Sequence, residues 1–150
     1  MILENTRFGT IEIEEHKIIT MSRSLPGFPG RKRFVLLNRE ESRPFLWYQS
    51  VDDPRLAFVL VDPCLFMPDY SIDLEYAFDE MSWREAEKKD VAVLVVVNAS
   101  QRSPERITAN LMAPLIINTK RLEGFQMIVQ DSPYSHKHPV FRRETDEVSA

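Results

Sequence analysis

Aspartates in and after the segment VDDPRLAFVLVDP (51–63) are the side chains of this sequence best suited to acid–base chemistry: Asp52, Asp53, Asp62 and Asp69. Paired carboxylates can act as general acid and base when they converge on one substrate. Neighbouring residues of a strand point to opposite faces, so Asp52 and Asp53 converge only in a turn. The residue before proline prefers extended geometry, and an aspartate side chain caps nearby backbone N–H groups. We therefore predict that Asp53-Pro54 and Asp62-Pro63 mark the ends of a buried strand and are not catalytic.

Other residue types that could do chemistry are sparse. His136 and His138 are two apart and could share a face as metal ligands, but Pro133 and Pro139 flank them and favour a surface loop. Cys64 has no histidine near it in sequence, so we predict a small buried side chain and not a nucleophile. The four glycines form no phosphate-binding pattern. The sequence predicts no catalysis, no metal and no cofactor.

Composition narrows the class of protein further. The chain has 150 residues, of which 43% are hydrophobic and 28% charged, as is typical of one soluble globular domain. A net charge of −4 argues against nucleic-acid binding through a basic surface. The N-terminal residues MILENTRFGTIEIEE do not form a signal peptide, and no run reaches the about 18 apolar residues of a membrane span. We expect a cytoplasmic protein with no membrane contact.

The hydrophobic pattern favours short strands. The segment FGTIEIEE (8–15) alternates apolar and acidic side chains, which is typical of a half-buried strand. Further runs rich in β-branched or aromatic residues lie between turn residues, at 33–37, 45–51, 56–62, 91–97, 110–118 and 125–130. This spacing predicts an all-β fold, a compact antiparallel β-barrel-like or sandwich domain. The predicted core includes Trp47, Phe58, Val95 and Ile116.

One segment departs from this pattern. Residues 75–90, EYAFDEMSWREAEKKD, are rich in helix-forming residues and contain neither Gly nor Pro. Acidic side chains come early, and Lys88 and Lys89 come late, which suits the helix dipole. We predict one short helix packed against the sheet. The predicted domain spans residues 1–140, and the polar residues 141–150 are predicted to form a mobile tail.

Two loops carry large apolar side chains between the predicted strands. The loop at 25–29 contains Phe28, and the loop at 64–70 contains Phe66, Met67 and Tyr70. Such loops either fold back onto the core or present contacts to a partner. The sequence leaves both alternatives open.

Blocks along nearly the whole chain resemble a known family, the flagellar assembly factor FliW. The blocks are TRFG (6–9), LPGF (25–28), RFVLL (33–37), PFLWYQSVDDPRLAFVLVDP (44–63), PDY (68–70), DVAVLVVV (90–97), TANLMAPLIIN (108–118) and HP (138–139). Two positions depart from the family pattern: Ser24 replaces the usual glycine before LPGF, and Lys88-Lys89 replace the usual proline before DVAVL. The long central blocks are unaffected.

The resemblance implies a β-barrel-like fold and a protein-binding switch without catalysis. Members of the family bind the translational regulator CsrA, a small basic dimer that represses translation of flagellin mRNA, and they also bind flagellin. Accumulating flagellin takes the factor away and frees CsrA to stop flagellin synthesis. On this basis we expect CsrA and flagellin as partners of a monomeric protein.

Loop position and residue type suggest which side chains meet these partners. Because an acidic protein meeting a basic one gains electrostatic steering, we hypothesise an acidic partner-binding part formed by Asp52, Asp53, Asp69 and Glu75. An amphipathic flagellin segment requires an apolar groove. We hypothesise that Phe28, Phe66, Met67 and Tyr70 form that apolar part.

Three alternatives stay open at this point. The chain could be a flagellin chaperone only, without CsrA binding. It could be a small β-barrel that binds single-stranded nucleic acid through aromatic side chains such as Trp47 and Tyr48, although the acidic charge opposes this. It could also be a small hydrolase that uses an aspartate pair, although the sequence suggests no substrate.

Overall fold

A seven-stranded barrel forms the centre of the computed structural model, which describes residues 1–98, 107–129 and 132–141. The strands are β1 (Ile2–Thr6), β2 (Gly9–Glu12), β3 (Ile19–Met21), β4 (Arg33–Leu37), β5 (Leu46–Ser50), β6 (Ala57–Val61), β7 (Val91–Asn98), β8 (Thr108–Ala109), β9 (Leu115–Asn118), β10 (Glu123–Gln126) and β11 (His138–Pro139). The helix α1 spans Glu75–Met81, and short 3-10 turns lie at Glu15–Lys17, Glu40–Ser42, Pro63–Leu65 and Glu85–Asp90.

The barrel closes because β7 pairs on both sides. Around the barrel the order is β7-β6-β5-β4-β3-β10-β9, and β9 returns to β7. The first half of β7, from Val91 to Leu94, pairs with β9, while Val95 to Val97 pair with β6. The pair β3–β10 is parallel and the other barrel pairs are antiparallel. The all-β, barrel-like fold class with one helix is confirmed.

Burial on both faces explains the continuous apolar runs. Along β7, Leu94 faces the barrel interior, where it packs with Phe34 and Tyr48. Val95 lies on the outside and packs with Val61, Tyr70 and Leu111 beneath the segment that follows β6. In β9, Ile117 points inward, and Ile116 lies outside, under α1. A strand that is covered on both faces needs apolar residues at every position, which is the pattern of these segments.

The parallel contact between β3 and β10 depends on a close approach at Gly124. A Cβ atom at this position would lie 2.5 Å from Sδ of Met21. Met21 is 1% exposed, and its sulfur accepts a hydrogen bond from the Tyr48 hydroxyl at 3.0 Å. Glycine therefore lets the two short strands meet over a filled interior.

The predicted N-terminal strand is half of a hairpin. We predicted a strand at 8–15, but β2 ends at Glu12, and the preceding strand β1 was missed. The turn is set by Asn5 and Gly9, with φ of 64° and 79°, and by Thr6, whose hydroxyl donates to the Gly9 carbonyl at 2.6 Å. The hairpin buries Leu3 and Ile13 against Val35 and Val51 on the outer face of the barrel.

The helix predicted at 75–90 is wrong in its second half. The α1 helix ends at Met81, and Ser82 adopts a left-handed conformation with φ of 57°. The Trp83 N–H donates to the Phe78 carbonyl at 3.0 Å, and the two aromatic rings meet edge to face at 5.6 Å. This is a Schellman termination with its usual apolar contact, and it turns Trp83 into the core.

Other boundaries differ because of local turns. The strand predicted at 110–118 begins only at Leu115, since the Asn110 side chain accepts from the Met112 N–H at 3.1 Å and turns the chain. The strand predicted at 125–130 is β10, which ends at Gln126. The predicted mobile tail beyond Phe141 lies outside the described residues.

Two of the predicted core residues are fully buried and two are not. Val95 and Ile116 are inaccessible, and half-buried Phe58 packs against the interior cluster. The prediction is wrong for Trp47, which is half-buried on the outer face, where Phe8 meets its ring edge to face at 5.3 Å and the Arg7 guanidinium lies 4.2 Å above it. The hairpin tip thus covers this indole.

Because β9 is buried on both faces, truncation of a side chain on this strand should lower the free energy of unfolding. Ile116→Ala removes a fully buried side chain between the barrel and α1, and we expect a loss of about 2–5 kcal/mol of stability. Ile128→Ala is the matched control, because Ile128 is 58% exposed, and we expect a change within about 0.5 kcal/mol. Urea unfolding followed by circular dichroism measures both, and equal midpoints would contradict the assignment of Ile116 to the packed layer.

Candidate functional site

The Asp52 carboxylate fastens the turn after β5 to the start of β4. It accepts hydrogen bonds from the backbone N–H groups of Lys32 and Arg33, both at 2.9 Å. It also accepts from Nε of Arg33 at 2.8 Å, and Nη2 of Arg33 lies 2.8 Å away. Burial alone raises the pKa of Asp52, but the backbone bonds from Arg33 and Lys32 and the Arg33 guanidinium outweigh it, so the pKa lies below its usual value. The Asp52 carboxylate is therefore a structural link between two segments, and its oxygens already have hydrogen-bond partners within the protein.

The Asp-Pro steps behave as predicted from the sequence. The Asp53 carboxylate accepts a hydrogen bond from the Arg55 N–H at 3.2 Å. The backbone N–H of Asp53 donates to the Ser50 hydroxyl at 2.9 Å. Asp62 accepts from the Cys64 N–H at 2.9 Å and caps the 3-10 turn at Pro63–Leu65. Asp53 also lies 3.5 Å from Arg31, so Asp52 and Asp53 have different arginine partners. Both steps terminate strands, and the pair does not form a shared acid–base site.

A buried amide keeps the turn after β5 rigid. Gln49 is inaccessible, and its side-chain nitrogen donates to the carbonyls of Ser50, Pro54 and Leu56 at 2.9 to 3.2 Å. The Ser50 N–H donates to the Leu56 carbonyl at 2.9 Å and closes the hairpin between β5 and β6. Residues 49–56 (QSVDDPRL) therefore form a fixed loop. The carboxylates of Asp52 and Asp53 are already engaged in hydrogen bonds and ion pairs within the protein.

Glu75 lies in a different environment, an acidic groove along α1 with a volume of about 420 Å³. We call this groove the α1 groove; its lining residues are Asp73, Leu74, Glu75, Phe78, Asp79, Trp83, Glu85 and Lys88. Lys88 is 3.9 Å from Glu85. Within the described part of the chain, no cation forms an ion pair with Asp73, Glu75 or Asp79. The groove therefore presents uncompensated negative charge above a partly apolar floor.

Sequence reasoning missed three of the groove's four carboxylates. Only Glu75 was predicted, whereas Asp73, Asp79 and Glu85 share the groove. Glu75 and Asp79 are four residues apart on α1, and residues at this spacing lie on one helix face, so this signal was available. Asp73 lies just before the helix, where its carboxylate accepts from the Glu75 N–H at 2.9 Å, and Glu85 lies beyond the turn that ends the helix.

The apolar residues of the loop at 64–70 fold back onto the barrel. Tyr70 is 7% exposed, its hydroxyl donates to the Leu111 carbonyl at 2.8 Å, and burial raises its pKa. Half-buried Phe66 and Met67 pack on the same outer cluster, and Phe66 stacks on His138 at 5.8 Å. Tyr70 is therefore part of the core, while the exposed Asp69 remains at the surface of this loop.

Phe28 lies apart from this cluster. Its ring meets Phe58 edge to face at 5.1 Å and lines a second cavity beside the end of the barrel. The Ser24 hydroxyl accepts from the Gly30 N–H at 3.1 Å and closes the loop around Phe28. The hypothesised partner-binding residues are thus divided among separate places in the fold and do not form one surface.

The structure also shows where the remaining candidate residues lie. No three His, Cys, Asp or Glu side chains converge as metal ligands in residues 1–98, 107–129 and 132–141. Cys64 was predicted to be buried, which is wrong, since the residue is exposed; partial desolvation and then Asp62 raise the pKa of its thiol. Tyr48, proposed for base stacking, is inaccessible. No helix among the described residues is long and apolar enough to cross a membrane.

Comparisons with known proteins cover almost the whole chain. The model of the FliW protein family matches residues 2–140. The flagellar assembly factor FliW of Geobacter sulfurreducens is 40% identical over 141 residues, which cover 94% of this chain and 87% of that protein. FliW of Bacillus subtilis is 36% identical over 140 residues, which cover 93% and 96%. A crystal structure of the flagellar assembly factor FliW, 34% identical, matches with a TM-score of 0.85 and covers 96% of this chain and 99% of that one.

The hydrogen bonds and ion pair of the Asp52 carboxylate predict that the stability of the protein depends on pH. The pKa of Asp52 is lowered in the folded state. The stabilisation that its ionised carboxylate gives to the folded protein is therefore fully present above the unfolded pKa of about 3.9 and is lost as the pH falls through the folded pKa. We expect Asp52→Asn to destabilise the protein by about 1–2 kcal/mol at pH 7. The difference from wild type should shrink towards pH 3 in urea unfolding experiments.

The matched control is Glu4→Gln, which removes an exposed carboxylate on β1. We expect its unfolding midpoint at pH 7 to equal that of the wild type. A difference between wild type and Asp52→Asn that stays constant from pH 7 to pH 3 would contradict the role given to the ionised carboxylate.

Proposed function

Because the chain belongs to the FliW family of flagellar assembly factors, we propose that it is a non-catalytic protein-binding switch for CsrA and flagellin. In this proposal the cytoplasmic protein, acting as a monomer, binds CsrA and relieves repression of flagellin translation. Flagellin that accumulates binds the factor instead and releases CsrA. The match to the family over residues 2–140 is the observation that carries the proposal.

The charge distribution supports a basic partner at one place on the surface. Opposite potentials steer association and oppose the wrong partner. Asp52 and Asp53 are engaged by Arg33 and Arg31, so they contribute little net potential. Asp69 and Glu75 form no ion pair within the described residues, and Glu75 lies with three other carboxylates in the α1 groove. We therefore place the CsrA-binding part at Asp69 and the α1 groove.

The segment that carries Asp69 and Glu75 is anchored to the barrel by buried side chains. Tyr70 and Phe78 are buried on either side of Glu75, and the Trp83 indole N–H donates to the Glu123 carboxylate at 2.8 Å. Buried anchors between exposed carboxylates fix the positions of the carboxylates before a partner arrives. Preorganisation of this kind lowers the entropic cost of binding.

Charge reversal at Asp69 and in the α1 groove tests the CsrA half of the proposal. We expect Glu75→Lys and Asp69→Lys each to weaken binding of purified CsrA by about tenfold at low salt, because each converts attraction into repulsion. Higher salt should shrink the effect, since exposed charges more than about 10 Å apart are largely screened at 0.1 M salt. Calorimetric titration measures both affinities, and adding flagellin to the wild-type complex should release CsrA.

Glu4→Lys is the matched control, since it makes the same change in net charge on β1, away from α1. Its affinity for CsrA should equal that of the wild type. Equal weakening by all three variants would indicate a general charge effect and remove the α1 groove from the proposal. Flagellin binding without any CsrA binding would leave a flagellin chaperone.

A further inference from the structure

A second surface feature differs from the α1 groove in both shape and charge. Two cavities of about 430 and 420 Å³ lie side by side and share Gln126 and Ile128 in their walls. Phe28 and Phe58 line the first cavity, and Tyr76 and Phe125 line the second. We call this combined depression the Ile128 trough. It differs from ordinary scattered surface apolar residues because several large side chains are contiguous.

Two of the large apolar side chains that line the trough are more than half exposed. Ile128 is 58% exposed and forms the ridge between the two cavities, and Tyr76 is 57% exposed. Phe28 is half-buried. Leaving such side chains in contact with water is unfavourable, and covering them is worth about 25 cal/mol for each Å² removed from water.

The trough lacks acidic side chains although the protein is acidic. None of the described residues lining either cavity is Asp or Glu, in a chain that has 23 acidic residues and a net charge of −4. Its charged residues are Arg23 and Lys137, and neither forms an ion pair with a described residue. The first cavity also has neutral polar groups in its wall, among them Thr108 and Asn110. The trough therefore combines apolar and neutral polar side chains with cationic ones, whereas carboxylates predominate in the α1 groove.

The walls of the trough are formed before any partner binds. The Gln126 side chain donates to the Ala113 carbonyl at 3.1 Å, and the backbone N–H groups of Met127 and Val129 donate to the Pro114 and Met112 carbonyls at 3.0 and 2.7 Å. On the other side, the Phe28 and Phe58 rings fix each other. A preformed cleft in which apolar side chains converge with polar groups is typical of a binding site.

We propose that the Ile128 trough binds an amphipathic helix whose apolar stripe is flanked by acidic side chains. Apolar residues at i, i+3 or i+4 and i+7 of such a helix span about 10 Å and would fill the two cavities on either side of Ile128. The acidic flanks would meet Arg23 and Lys137. A basic partner is disfavoured here and favoured at the α1 groove, so the two surfaces select partners of opposite charge.

This inference rests on the proposed function, in which flagellin is the second partner, and it assigns flagellin to the trough. The test uses calorimetric titration of full-length variants with purified flagellin and, separately, with CsrA. We expect Ile128→Asp and Arg23→Glu each to weaken flagellin binding by about tenfold or more, because one places a carboxylate in the apolar centre and the other reverses the edge charge. CsrA affinity should stay at the wild-type value.

Ile2→Asp is the matched control, since Ile2 is 67% exposed and lies on β1. It makes the same substitution on another surface and should leave both affinities unchanged. Wild-type flagellin affinity in Ile128→Asp and Arg23→Glu would overturn the assignment of the trough while leaving the switch intact. Loss of both partners in Ile128→Asp, with an unchanged unfolding midpoint, would also overturn it. Wild-type protein that binds no flagellin would instead refute the proposed function on which the inference rests.

Discussion

The double pairing of β7 is the constraint on which the rest of the structure depends. Its first half pairs with β9 and its second half with β6, which closes the barrel and removes free edges from the ring. A strand in this position has one face in the barrel interior, so the other face must be covered from outside. Leu94 fills the interior, while Val95 and Val97 require an outer layer.

The outer layer explains where charged side chains are displayed. The segment from Pro63 to Asp90 crosses the outer faces of β6, β7 and β9, and it buries Tyr70, Phe78 and Trp83 against them. Glu75 and Asp79 remain exposed between these anchors, and Asp69 remains exposed just before the first of them. The acidic surface is thus a consequence of how this segment covers the barrel, and the α1 groove forms where α1 ends in the Schellman turn.

Two surfaces of opposite character follow from the same framework. The α1 groove combines carboxylates with a partly apolar floor, whereas the Ile128 trough combines a larger apolar area with two cations that form no ion pair with a described residue. Although α1 contributes side chains to both surfaces, no described lining residue is common to the two, so their partners need not compete for the same side chains. Antagonism between the two partners would then have to arise from a steric clash between them when both are bound, or from energetic coupling of the two surfaces through the barrel wall.

Local sequence by itself determined the all-β fold class, the strands with continuous apolar runs and the strand-ending role of Asp53 and Asp62, because these depend on side-chain period and turn chemistry. It did not determine β1, which pairs with β2 in a local hairpin, or the three-residue strand β3, which is stabilised by pairing with β4 and with the distant β10. It also assigned Asp52 to a partner surface, whereas the tertiary structure engages this carboxylate with Arg33, 19 residues away. Tyr70 and Asp69 are neighbours in sequence, and only packing decided that the ring is buried and the carboxylate exposed. Which residues share a groove depends on contacts between distant segments, and a one-dimensional pattern does not contain that information.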